Sequence, residues 1–221
     1  MKRIPVFFKS KLYFVKQFIN ITLIVIIFNV CHAQNTKLSD GTNQFPDSIN
    51  LKAKKLKQLY LLSTSSSAGV KEEYHQQFFD AFPNSFNEFN EIYGYVNNKP
   101  AILYFEADKH IIELFNKLRN INDTLYFKKL ISIAIGGHWD ADAVNYFQNG
   151  LKNRVINNPE LTIYVLKNRS KKDIKSFWYF FFDGAHPKTQ IPEHLKNIKS
   201  LDLEIYNIMI ETQKQVLKQL E

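Results

Sequence analysis

Residues 136–142, Gly136-Gly137-His138-Trp139-Asp140-Ala141-Asp142, put an imidazole, an indole and two carboxylates within five residues behind a glycine pair. Loops between helices are where chemistry concentrates. Alternate loop residues can converge on one point, so His138, Asp140 and Asp142 could ligate a cation. The spacing departs from a calcium loop. Val144 and Asn145 stand where a ligand and the turn glycine belong, and Leu151 stands in place of the bidentate Glu. No metal and no cofactor is expected. In the plainer account, which is preferred, Asp140 caps a helix, Asp142 complements its dipole and Trp139 plugs the core.

A second polar group follows at Asp183-Gly184-Ala185-His186-Pro187. Asp183 and His186 could form an acid/base pair if the fold supplied a third group. No Gly-x-Ser-x-Gly elbow accompanies them. The preferred account is a glycine helix end followed by a proline stop. His110 and Glu113 lie one turn apart, but no His-Glu-x-x-His is present, which argues against a metalloprotease. Ser63–Ser67 with Gly69 lacks the phosphate-loop spacing. Among the aromatics, Trp139, Trp178 and Tyr179 are the candidate binding residues. Phe177 to Phe182 is aromatic at every position, so that helix is central or turns one face to a partner.

The elements that would carry these groups read as helices. Phe78 and Phe82 continue a four-residue stripe from Val70 and Tyr74, stopped by Pro83. Ser85 with Glu88 is a capping box, and Gly94 is expected to end that helix in the left-handed conformation. Pro100 suits a first helical position. Asp123, Asp140 and Asn158-Pro159 are expected to start helices. Ser170 with Asp173 repeats the capping pattern. One long helix is expected after Pro192. The expected fold is all-α, a compact multi-helix array of about eight helices with short connections.

The amino terminus reads differently. Lys2, Arg3, Lys9, Lys11 and Lys16 precede an apolar run from Phe18 to Val30, and Cys31-His32-Ala33 follows. These are the parts of a secretory signal, with cleavage expected after Ala33. The run is too short to span a bilayer. Lipidation at Cys31 is the minor alternative, because Val30 and Phe28 do not fit a lipobox. The organisation read from the chain is a signal at 1–33, a disordered lead at 34–48 and a single helical domain at 49–221. Asp47-Ser48-Ile49 also fits a short O-glycosylation triplet.

Cleavage changes the charge argument. The chain has 29 Lys+Arg and 21 Asp+Glu; the signal carries five of the basic residues, which leaves a net charge of +3. That excess does not point to nucleic acid. Cys31 is the one cysteine and leaves with the signal, so stability must come from burial.

Phe78 to Pro83, Phe89 to Tyr95, Trp139 to Gln148 and Ser176 to Gly184 together resemble a group of small exported proteins of anaerobic Gram-negative bacteria with no assigned activity. The resemblance spans most of residues 70–187. It implies export and a helical domain and supplies no catalytic residues. His138 departs from the group, where a longer cation is expected.

The expected function is that of an exported, non-catalytic protein-binding module with a protein partner in the cell envelope, such as a periplasmic immunity or inhibitor protein. The alternative is a periplasmic hydrolase or sugar-active enzyme using His138, Asp140, Asp142, Asp183 or His186. An envelope-associated structural or lipid-contacting role is a third reading. The expected location is the periplasm or the medium, with no transmembrane span in the mature chain.

Overall fold

The computed structural model describes residues 46–65, 68–118 and 120–219, all within one compact unit at 44–221. The expected signal, Cys31 and nearly all of the expected lead lie outside the described residues. Helix α1 runs Asp47–Ser65, so it takes in the last two residues of the expected lead and the first three of Ser63–Ser67. Ile49, Ala53, Leu56, Leu59 and Ser63 are its buried positions, three or four apart, the period of one helical face. That face packs on α2, Ala68–Ala81, which buries Phe78 and Phe79.

Helix α3 is Phe86–Tyr93. Ser85 Oγ accepts from Glu88 N–H, as the capping box predicts, but the returning Glu88 carboxylate accepts from Asn84 N–H at 2.8 Å. Gly94 is extended, at φ −87°, rather than left-handed. The next turn belongs to a hairpin instead. Strands β1, Tyr95–Val96, and β2, Lys99–Pro100, pair antiparallel across Asn97 and Asn98. Both asparagines have positive φ, 52° and 61°, the geometry that a tight hairpin turn demands. Pro100 therefore sits in a strand and starts no helix.

A 3-10 turn at Tyr104–Glu106 leads into α4, Ala107–Ile112, which widens into a π turn at Glu113–Lys117. Carbonyls at a helix end need outside donors. Tyr126 Oη donates to the Leu114 carbonyl at 3.0 Å, and the Arg154 guanidinium donates to that of Phe115.

Helix α5, Asp123–Ala134, is capped by Asn122, one residue before the expected Asp123; Asn122 Oδ1 accepts from Leu125 N–H. From this helix Lys129 reaches the end of α2, where its ammonium donates to the Phe82 carbonyl at 2.9 Å and to Asn84 Oδ1 at 2.8 Å. A cation there meets the negative end of the α2 dipole. Burial pushes the Lys129 pKa down to about 8, with nearby Lys52 adding to the effect.

Helices α6, Ala143–Asn157, α7, Pro159–Leu166, and α8, Lys171–Phe182, follow. Pro159 opens α7 as expected, but the Asn158 side chain turns back to donate to the Arg154 carbonyl and caps nothing. Ser170 Oγ does accept from Asp173 N–H, at 3.1 Å. The expected long final helix is three pieces: α9, Glu193–Lys196, α10, Ile198–Leu201, and α11, Leu203–Lys218. Asp202 interrupts it, because its carboxylate caps α11 through Ile205 N–H at 2.9 Å.

Helix α8 is the hub and packs against α5, α6 and α11. Phe177, Trp178, Phe180, Phe181 and Phe182 are all buried. Phe147 joins that core to α3, with ring centroids 5.1 Å from Phe89 and 6.2 Å from Phe180. Each such ring contributes about 2–3 kcal/mol on burial. Among the described residues the hairpin is the sole sheet, so the architecture is an all-α helical array. No described helix is long and apolar enough to cross a membrane.

Candidate functional site

The two polar loops meet at Asp183. One of its carboxylate oxygens accepts from Trp139 N–H at 2.6 Å and the other from Gly184 N–H at 2.9 Å. The turn at Gly136-Gly137 makes this approach possible. Gly136 has φ +82°, and a Cβ on Gly137 would stand 2.7 Å from the Phe180 ring. Larger residues would push the loop off α8.

Beside that junction lies a cleft of about 480 Å³, walled by α6 on one side and residues 183–192 on the other. Trp139 is half-buried at its edge and His186 lines it. Among the described residues, no hydrogen bond or ion pair joins Asp183 to His186, so the candidate acid/base pair is not assembled. Asp183 is a loop clasp instead. Gln148 is buried below, where its amide donates to the Phe180 carbonyl at 2.5 Å and the Asp183 carbonyl at 2.8 Å, closing the end of α8. Lys152 donates to Gln148 Oε1 at 2.9 Å.

Asp140 and Asp142 stand in a different recess of about 340 Å³, with Tyr95 and Tyr104. Asp140 does not cap α6; its carboxylate accepts from the N–H of its neighbour Ala141 at 2.7 Å. Asp142 holds the N-cap position, but its carboxylate accepts from Tyr104 Oη rather than from a helical N–H. That bond raises the Tyr104 pKa above its ordinary value. Asp142 also has φ 54° and ψ −115°, a conformation costly for any residue with a Cβ. His138 lines neither space: it is exposed and packs edge-on against Phe86 at 5.1 Å.

The five candidate catalytic residues are thus spread over two clefts and an open surface. Among the described residues, no three His, Cys, Asp or Glu side chains gather as a metal site. The candidate binding aromatics also separate. Trp139 reaches a cleft. Trp178 is fully buried core, and Tyr179 is half-buried with its hydroxyl donating to Gln219 Oε1 at 2.9 Å.

Two features escape a reading of the sequence. The first is an exposed aromatic face. Tyr95, Tyr104 and Phe105 are joined ring to ring, with centroids 5.9 and 5.2 Å apart, and Phe105 is 78 % exposed. Its signal was the apolar run 101–105, which alternation alone could not orient.

The second is a buried polar cluster. His75 Nε2 lies 3.2 Å from Glu113 Oε1, which also accepts from Ser63 Oγ at 3.3 Å; His110 Nδ1 lies 3.0 Å from Tyr93 Oη. Serine, histidine and glutamate suggest a catalytic triad, but here the carboxylate stands between the other two. The hydroxyl has no imidazole base on it, and all three side chains are buried. The cluster ties α1 and α2 to the π turn through Glu113, and α3 to α4 through His110.

Comparisons with family models, with curated proteins and with solved structures found no match.

Proposed function

We propose that this is an exported, non-catalytic protein-binding module, a periplasmic immunity or inhibitor protein in its most concrete form, that grips a basic segment of its partner. The observation that carries the reading is the exposed Tyr95–Tyr104–Phe105 face beside Asp140 and Asp142. A side chain as large as Phe105 gains nothing from water, whereas aromatic anchors dominate many interface energies. The adjoining recess contains two carboxylates and two tyrosines and no basic side chain. Carboxylates pair with Lys or Arg, and aromatic faces attract the same cations. The Tyr104 hydroxyl, donating to it, holds the Asp142 carboxylate at that recess. The alternative, a hydrolase or sugar-active enzyme, requires its acid, base and nucleophile to converge, and the dispersal of His138, Asp140, Asp183 and His186 weighs against it.

The test is affinity capture from envelope extract with the wild type, Phe105→Ser and Asp142→Asn, beside a hydrolase screen. The reading expects one stoichiometric partner, bound less tightly as salt rises and lost with Phe105→Ser while the unfolding midpoint holds. Turnover abolished by His186→Ala or Asp140→Ala, or capture indifferent to Phe105→Ser, refutes it.

A further inference from the structure

The cleft between α6 and residues 183–192 has a chemistry that partner binding does not use. Lys152 and Lys188 both line it. Burial pushes the Lys152 pKa down to about 8, and Lys188 is close enough to add to that effect. Asp183 is the carboxylate of the lining, and both of its oxygens are already held by backbone N–H groups. The Asp183 charge offsets Lys152 in part, but two lysines share this single carboxylate, so an anion between them would balance the remaining positive charge. Lys152 gives two donors to the Gln148 side chain and the Asp183 carbonyl. An ammonium has three, so one remains for a ligand.

The α6 wall, which also carries Lys152, supplies a different kind of contact. Asn145, Asn149 and Asn153 follow one another at four-residue intervals on α6 and all line the cleft. Residues at that spacing share a helix face. Carboxamides donate and accept, as hydroxyl groups do, so a row of them matches a row of hydroxyls. Trp139 adds an apolar ring at the edge. The volume of about 480 Å³ suits a small molecule.

We propose that this cleft binds a small acidic sugar, with its carboxylate between Lys152 and Lys188, its hydroxyls on the Asn145–Asn149–Asn153 row and its C–H face on Trp139. A neutral sugar leaves the excess of two lysines over one carboxylate unbalanced. A bare carboxylate leaves the amide row to water. The inference is independent of the partner-binding reading, since Phe105 and Asp142 lie outside this cleft.

The experiment titrates the mature protein with D-glucuronate, D-galacturonate, D-glucose and acetate, read by calorimetry and by tryptophan fluorescence. At least one hexuronate is expected to bind about tenfold or more tighter than glucose and acetate, as expected of a paired charge plus hydrogen bonds. The fluorescence response should disappear in Trp139→Phe. Lys152→Met and Lys188→Met should each weaken hexuronate binding about tenfold. Lys188 is exposed, so its variant keeps the test valid should Lys152→Met disturb the end of α8. The proposal is overturned if neither hexuronate binds, if glucose binds as well as the hexuronates, or if Lys188→Met leaves affinity unchanged.

Discussion

Acid should loosen this fold through His110. The side chain is 1 % exposed, and burial lowers its pKa from the ordinary 6.5 to about 4. Between those values the unfolded chain takes up a proton at this residue and the folded chain does not. Stability must therefore fall as pH falls. The contribution is fully present above pH 6.5. At about 1.36 kcal/mol per unit of pKa difference, roughly 1.4 kcal/mol is lost by pH 5.5 and about 3 kcal/mol by pH 4. The assay is urea unfolding at a series of pH values, for the wild type and for His110→Gln, whose amide can still meet the Tyr93 hydroxyl. The variant is less stable at neutral pH, but its curve should be flatter, so the gap between the two proteins narrows on acidification by the amounts above. His75 is present in both proteins and cancels. Parallel pH profiles refute the reasoning, because they mean that folded His110 protonates as readily as in the unfolded chain.

Gly150→Ala should destabilise the protein even though alanine is the better helix former by about 1 kcal/mol. A Cβ at Gly150 would lie 2.4 Å from the buried Phe115 ring, and overpacking of that kind costs about 1–3 kcal/mol; a rise in the unfolding midpoint would show that Phe115 yields freely. Intact mass of the exported protein should begin at Gln34; a species that keeps Cys31 with acyl chains would replace signal cleavage by lipidation.

What could be read from the chain is what depends on neighbours in sequence. Ser85 and Ser170 cap their helices because a hydroxyl needs only the N–H three residues ahead. Phe177 to Phe182 had to be central or turn one face to a partner, since no arrangement of a helix leaves six consecutive aromatics on one face. The misreadings arose where two local solutions compete. Asn122 and Asp123 are both good caps, and the one with extended backbone took the role. Pro100 fits a helix start or a strand edge, and Asn97-Asn98 settled it by turning the chain first. Asp202 looked like one polar residue in a helix and instead ended one. The clefts were legible only in fragments. The Asn145–Asn149–Asn153 row reads as an ordinary solvated face until the 183–192 segment is laid opposite it. The pairing of His75 with Glu113 crosses from α2 to the π turn, and no periodicity announces it.

The placement of α8 also bears on how the chain is made. A polypeptide leaves the ribosome from its amino end, so α8 emerges before α11, which packs against it. Until residues 203–216 follow, a helix with six consecutive aromatic side chains lacks one of its walls. During that interval the emerging chain presents the kind of apolar surface that holding chaperones recognise and that drives aggregation. Completion of the core is therefore tied to release of the carboxyl end. Truncations that stop short of α11 are expected to leave that face of α8 uncovered.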